Sequence, residues 1–411
     1  MNPINTKFAT QFLSMRQLTK ASLAALLITV SSWASAQVTV PSTDSGQDYL
    51  NTVTTAVPFL RIAPDARGGS MGDVGVATSP DAASIFWNNA KNAFIEDNSG
   101  LAITYTPWLS NLVNDIFLAY LNGFWKVDDL ATLSGSLRYF SLGNITFTDQ
   151  NGQVLQDFRP NEFALDFGYA RKLSDNFSVG ITLKYIFSNL ASGQFVNGVP
   201  IKPANGVAAD LSFFYTTEFD MGDNDAFLNI GANIANIGNK VTYTSSAERD
   251  YIPTNLGFGT SLGINFDDYN QLAISIDFNK LLVPTPDTLD IDPADGIFDY
   301  KQKGPITGMF SSFSDAPNGF SEELNEITIG TGLEYWYNQQ FAVRGGYFFE
   351  DPTKGGRQFF TLGLGLKYNV FGLDFSYLIP SSNQQNPLDN TLRFTLSFDF
   401  EALAKAQEEQ Q

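Results

Sequence analysis

TLRFTLSFDF, residues 391–400, sets Leu392, Phe394, Leu396, Phe398 and Phe400 against Arg393, Thr395, Ser397 and Asp399. Successive side chains leave an extended chain on opposite faces, so this stretch reads as a strand with one large apolar face and one polar face. The pattern recurs. Phe360, Leu362, Leu364, Leu366 and Tyr368 alternate with Thr361, Gly363, Gly365 and Lys367. Leu272, Ile274, Ile276 and Phe278 alternate with Ala273, Ser275 and Asp277, and Phe177, Val179, Ile181, Leu183 and Tyr185 with Ser178, Gly180, Thr182 and Lys184.

A soluble β-sandwich or jelly roll alternates too, so the period alone leaves two fold classes open. Three further features favour lipid. The runs reach the ~9–11 residues that a tilted strand needs to cross a bilayer. Aromatic residues (Trp108, Trp125, Tyr335, Trp336, Tyr337) fall near run ends, where a barrel carries its interfacial girdles. The connections alternate in length. Strands are expected at 99–106, 114–126, 131–141, 161–172, 176–188, 206–218, 225–237, 255–267, 270–279, 323–337, 340–350, 357–369, 371–379 and 390–400. Short links follow near 126, 172, 219, 266, 337 and 369, while those between them are mostly longer and include 142–160, 189–205, 238–254 and 280–322. An even strand count with both ends on the short-turn side predicts an all-β fold, a 14-stranded antiparallel transmembrane outer-membrane β-barrel over 98–400 with the long loops at the cell surface. Closure leaves no unpaired edge in a solvent without water.

The ends fit export. Lys7, Arg16 and Lys20 precede the apolar run ASLAALLITV, and Ala34-Ser35-Ala36 precedes Gln37. This reads as a signal peptide over 1–36 cut between Ala36 and Gln37, with Met15 as an alternative start. EALAKAQEEQQ at 401–411 reads as a polar periplasmic tail. The chain of 411 residues has no Cys and no His and a formal charge of −19. That removes disulfides, Cys and His metal sites and every Ser-His-Asp arrangement, and it disfavours nucleic acid as a partner. No residue pattern calls for a cofactor or an enzymatic site.

Residues 37–97 do not alternate. DARGGSMGDVGVATSPDAASIFWNNA, residues 65–90, is dense in Gly, Ala and Ser, but Gly69, Gly72 and Gly75 have neither dinucleotide-fingerprint nor Walker spacing. A fourteen-stranded barrel is too wide for its own wall side chains to fill, so this segment is expected to fold inside as a hatch. Asp65, Arg67, Asp73 and Asp81 would then pair with lumen residues such as Lys184, Lys367 and Arg393, with Gly69, Gly72, Gly75, Phe86 and Trp87 packed against the wall. The alternative is a periplasmic arm, against which Val57, Phe59, Leu60, Ile62 and Ile85 are too apolar.

The loop 280–322 mixes Asp287, Asp290, Asp292, Asp295 and Asp299 with Leu281, Leu282, Val283, Ile297, Phe298, Met309, Phe310, Phe313 and Phe320. Apolar residues clustered in a loop point to a protein contact, or to a loop folded onto the barrel mouth. DTLDIDPADG, 287–296, fails as an EF-type calcium loop because Ala294 and Lys301 stand at ligand positions; irregular calcium binding by the acidic loop stays open.

The stretch from Thr55 through Val57-Pro58-Phe59-Leu60-Arg61-Ile62-Ala63-Pro64-Asp65-Ala66-Arg67 to Met71-Gly72-Asp73-Val74-Gly75 and Ser79-Pro80-Asp81 resembles the N-terminal signature of the PorV (LptO) family. So do Tyr105-Thr106-Pro107-Trp108-Leu109 and Leu137-Arg138-Tyr139-Phe140-Ser141. One departure is Trp87-Asn88-Asn89-Ala90, where the family has Asn-Pro-Ala; Asn still serves a turn. The resemblance implies a FadL-like barrel in the outer membrane of Bacteroidetes that acts as a shuttle in the type IX secretion system. Its partners would be the translocon barrel, cargo proteins carrying a C-terminal secretion domain, the surface peptidase of the attachment complex, and outer-membrane lipid. Two other classes remain: a FadL-like transporter of hydrophobic small molecules, and a lipopolysaccharide deacylase, for which no general base stands out.

Overall fold

The structure is a computed structural model of the full chain and describes residues 51–108, 115–148, 151–196, 198–244, 249–286, 298–381 and 391–400. The signal segment with its Ala36–Gln37 junction and the 401–411 tail lie outside the described residues.

Fourteen antiparallel strands close into one barrel. In chain order they are β1 (Ser99–Pro107), β2 (Ile116–Lys126), β3 (Ala131–Leu142), β4 (Asn161–Lys172), β5 (Phe177–Asn189), β6 (Ala204–Met221) and β7 (Asn224–Gly238). β8 (Asn255–Asn265), β9 (Asn270–Leu281), β10 (Ile327–Tyr337), β11 (Phe341–Phe349), β12 (Gln358–Tyr368), β13 (Phe371–Pro380) and β14 (Leu392–Asp399) complete the wall. Each strand pairs with its sequence neighbours, and β14 closes on β1 from Gly100↔Asp399 to Tyr105↔Phe394. Two small ribbons, 145–148 with 154–158 and 195–196 with 199–200, stand in the long loops.

Pairing fixes register, and register fixes faces. Leu362, Leu364 and Leu366 on β12 are exposed, whereas Thr361 between the same columns is buried. The same division holds for Ile103 and Tyr105 against Thr104 and Thr106 on β1. A belt of large apolar side chains around the whole outer surface exceeds the ~300–600 Å² patch that a soluble monomer tolerates. With polar residues inside and apolar residues outside, lipid is the solvent this wall is built for. No described helix is long and apolar enough to cross a membrane.

Short turns all lie at one end. Between β10 and β11, Asn338 and Gln339 adopt left-handed φ of 53° and 51°, the geometry that lets a tight hairpin follow the twist of its strands. Longer connections lie at the other end.

Three expectations need correction. The strand expected from 323 begins at Ile327, because Phe320–Asn325 is a helix. Its turn places Glu322, Glu323 and Glu326 side by side toward two lysines, which an alternating strand would not do. Trp108 and Trp336 are buried and point inward, Trp108 onto Phe140 and Trp336 beneath the Arg344 guanidinium. Trp336 lies one residue off the outward column of Tyr335 and Tyr337. Trp125 and Tyr337 are outward and exposed, as a girdle requires.

Leu364→Arg buries a charge in the lipid-facing column and should lower the unfolding free energy in vesicles by about 2–4 kcal/mol. Gly365→Arg should act differently, since a Cβ there lies 2.7 Å from Arg344 and Asp374 in the lumen. Equal, small losses at both positions would contradict the assigned faces.

Candidate functional site

Residues 51–97 run through the barrel, and their partners around the wall trace the path. At the long-loop mouth Asn51 donates to Glu322 at 3.1 Å and its N–H to the Thr353 carbonyl at 3.2 Å, and the Ala56 N–H donates to Tyr251 at 2.8 Å. At the short-turn mouth Lys126 reaches the Glu96 carbonyl, and Phe94 packs on Phe214 under the Lys172 ammonium. Between these ends the segment touches inward side chains of strands on every side.

Its first stretch makes an apolar seal. Phe59 and Leu60 pack among Leu118, Phe140, Ile186, Ile252, Phe348, Phe359 and Leu378, drawn from strands around the circumference and the β7–β8 loop. Each such buried side chain contributes about 1.5–3 kcal/mol. Below the seal the contacts turn polar. Asp65 accepts from the Gly68 N–H at 2.7 Å, capping the turn Ala66–Gly69, and from the Trp87 indole at 2.7 Å. Arg67 forks onto Glu334 at 2.7 and 2.9 Å and reaches Asp81 at 2.8 Å. Glu334 also accepts from Arg344 at 2.6 Å, and Arg344 continues to Asp374 at 2.6 Å. The result is a chain of alternating charge, Asp81–Arg67–Glu334–Arg344–Asp374, buried at its centre and partly exposed at Asp81 and Asp374, tying the segment to β10, β11 and β13. Such a chain is stable only when every member has a partner.

Backbone approaches are equally close. A Cβ on Gly72, whose φ is +74°, would lie 2.6 Å from the Tyr347 carbonyl, and one on the wall residue Gly332 would lie 2.6 Å from Met71. Trp87 lies across Gly68 and Gly75, and Gly69 abuts the Arg393 side chain. The Gly75 and Val76 N–H groups donate to Asp277 at 2.7 and 2.8 Å.

The expected lumen partners divide. Asp73 does face Arg393, at 3.7 Å. Among the described residues Asp65 meets no basic side chain within salt-bridge distance, Lys184 pairs with Asp210 on the neighbouring strand at 3.2 Å, and Lys367 lies over Trp336. Phe86 sits edge-on to Trp87 and under the Arg138 guanidinium. Sequence reasoning missed Glu334, Arg344 and Asp277, and also Lys91, a fully buried ammonium donating to the Gly75 carbonyl at 2.6 Å and Thr78 at 3.0 Å. Asn88 and Asn89, at the departure from the family pattern, tie the segment to the Phe213 and Ile181 carbonyls. A cavity of about 90 Å³ remains between segment and wall, lined by Arg61, Asp73, Lys184, Asn233, Asn236 and Arg357 among others.

At the long-loop mouth, Lys280 donates to Glu323 at 2.9 Å and Glu326 at 2.5 Å, and Lys354 to Glu322 at 2.5 Å and Glu326 at 3.0 Å. Burial alone would raise the Glu322 carboxyl, but the Lys354 ammonium, the Asn318 N–H and the Asn51 amide outweigh it and hold the group below its ordinary value. A lowered carboxyl stabilises the fold above its unfolded pKa, and that contribution is lost as acid titrates the folded group. This clamp fixes the β9–β10 connection by its charged residues and leaves apolar ones outward: Ile306, Phe310, Phe313, Phe320 and Leu324 are exposed, Phe320 by 75%. Of the other residues expected in a partner-binding loop, Leu281 closes β9, Leu282 is buried, and Phe298 stacks on Tyr300. Asp290, Asp292, Asp295 and Ile297 lie outside the described residues, as does the acidic run considered for calcium. Among the described residues no carboxylate group is arranged to hold a metal ion.

The family model for type IX secretion system protein PorV matches residues 44–288, covering the lumen segment and the first nine strands. No curated protein sequence matches the chain. Among solved structures, a TodX deltaS2S3 mutant monoaromatic hydrocarbon channel is similar at 12% identity and a TM-score of 0.47, with 81% of this chain and 96% of that one covered. A FadL homologue from Pseudomonas aeruginosa is similar at 12% identity and 0.41, with 85% and 99% covered, and the toluene transporter TbuX from Ralstonia pickettii at 11% and 0.43, with 85% and 98% covered. These likenesses are distant, and no activity passes from them to this chain.

Glu334→Gln removes the carboxylate that Arg67 and Arg344 share. It should cost about 3–5 kcal/mol and raise conductance in planar bilayers as the segment loosens. Deleting 56–90 should raise conductance further while the barrel still inserts; unchanged conductance in both proteins would mean that the segment does not seal the lumen.

Proposed function

The chain belongs to the PorV family of type IX secretion system proteins, and from that premise we propose that this outer-membrane barrel binds exported cargo through the C-terminal signal domain and shuttles it from the translocon barrel to the peptidase of the surface attachment complex. One observation carries the reading beyond family membership: the β9–β10 connection turns its acids inward to the clamp and its aromatics outward. A loop folded only for stability would do the reverse, burying Phe310, Phe313 and Phe320 and exposing Glu322, Glu323 and Glu326. Aromatic residues held outward on a fixed loop have the composition of a protein-binding hot spot. With the short turns facing the periplasm, as such barrels arrange them, this surface faces the cell exterior, where cargo and peptidase meet.

The role requires no bond chemistry of this chain; it holds and releases a partner. Transport of a small hydrophobe would need a roomy apolar cavity along the lumen, whereas the cavity between segment and wall is only about 90 Å³ and sets Arg61, Asp73, Lys184 and Arg357 beside Leu60, Val76, Phe86, Trp87 and Phe348. That favours a closed lumen and a function at the mouth.

Replacing Phe310 and Phe320 by Asp should leave heat-modifiable mobility, and hence barrel folding, intact. Cargo recovered with the tagged protein should fall by at least about thirtyfold, the loss expected when hot-spot aromatics worth ~2 kcal/mol or more are removed. Recovery of cargo at the wild-type level would move the binding surface away from this loop.

A further inference from the structure

Among the described residues, the outward belt has one place where two paired wall residues both lack a side chain. At a single height across β1 to β4, the paired residues Leu101, Gly123, Gly135 and Phe167 form a row, and its two central positions carry no side chain. The row above is Ile103, Leu121, Leu137 and Leu165, and the row below brings Trp125, Leu133 and Tyr169 together. The missing side chains leave an open hollow of about 560 Å³, walled mainly by these leucines, Phe167 and Trp125.

The hollow belongs to the lipid-facing surface, so hydrocarbon is the medium that fills it. Its position specifies more. It lies in the half of the wall nearer the short turns, a few residues from the 127–130 link between β2 and β3. On β4 the outward column continues from Phe167 through Tyr169 to Arg171, the only basic side chain on the outward face of β1–β4. Four residues of strand separate Phe167 from Arg171, about 13 Å at the strand rise, so a cation stands at headgroup depth below an acyl-sized hollow. Arg171 donates to the Tyr169 hydroxyl at 3.2 Å, which turns the guanidinium up along the barrel wall with further N–H groups available.

We propose that this face holds one glycerophospholipid from the leaflet on the short-turn side, an acyl chain lying over Gly123 and Gly135 and the phosphate on Arg171. A planar guanidinium is suited to phosphate, and two facing glycines present a flat backbone floor to a methylene chain. On the inner side of the same wall, Ser134 donates to Asn89 of the lumen segment at 2.7 Å, so the lipid would back the wall where that segment leaves the barrel. The inference rests on the membrane reading of the outer face and is independent of cargo delivery.

Native mass spectrometry of the full chain, reconstituted with phosphatidylethanolamine and exchanged into mild detergent, tests it. Gly135→Leu fills the hollow without a clash, since a Cβ there meets nothing nearer than the Asp166 carbonyl at 3.7 Å. Arg171→Gln removes the cation from an exposed rim position and leaves the hollow open. Gly345→Leu adds the same leucine to β11, where a Cβ has 3.8 Å of clearance. Wild type and Gly345→Leu should retain one phosphatidylethanolamine, and each of the other two variants should retain about tenfold less. Equal retention by all four proteins, or none by wild type, overturns the proposal. It is also overturned if Gly135→Leu keeps its lipid and instead loses translocon subunits on pull-down, which would make the occupant a protein.

Discussion

A bilayer offers no water to an unpaired backbone group, and that one constraint organises this molecule. It forces the strands to close, since an open edge in hydrocarbon would leave a row of N–H and C=O groups unsatisfied. Closure with fourteen strands in turn creates an interior that wall side chains cannot fill. Charges placed there must be answered by charges from another part of the chain, because an unpaired ion in a partly dry interior is costly. The series Asp81, Arg67, Glu334, Arg344 and Asp374 meets that demand, with the segment supplying the first two members and the wall the rest.

The same reasoning joins lumen to mouth. Phe59 and Leu60 close the long-loop end with an apolar seal, and just above it Asn51 shares Glu322 with Lys354. The lumen segment and the β9–β10 connection are thus held by one carboxylate. A partner pulling on the exposed aromatics of that connection would load the clamp, and through Asn51 the upper end of the segment. The exposed aromatic surface proposed for cargo and the seal of the lumen are mechanically adjacent in this barrel even though they use different residues.

The wall was legible in the sequence because period-two alternation is a local signal; all fourteen strands were placed, with ends displaced by a few residues. Where the reading slipped, a nonlocal partner was responsible. Residues 323–326 alternate no worse than their neighbours but form a helical turn to meet Lys280 and Lys354. The need for a lumen segment followed from barrel width, and its glycines from the need for close approach. Its partners did not follow, since Arg67 and Glu334 lie 267 residues apart and nothing local marks one for the other. Asp65 was expected to find a base and instead caps its own turn and takes the Trp87 indole, a short-range competitor that an Asp followed by a Gly-rich turn could have suggested.

Central to the account is a lumen segment that enters at the long-loop mouth, leaves at the short-turn mouth, and lies in a barrel whose long loops face outward from the cell. The chain has no native cysteine, so single cysteines report their own position. Thr52→Cys at the upper end of the segment and Asp128→Cys in the β2–β3 link would each be exposed to a membrane-impermeant maleimide on intact cells. The account predicts labelling of Thr52→Cys on intact cells and of Asp128→Cys only after the outer membrane is permeabilised. Labelling of Asp128→Cys from outside, with Thr52→Cys reached only after permeabilisation, would contradict it.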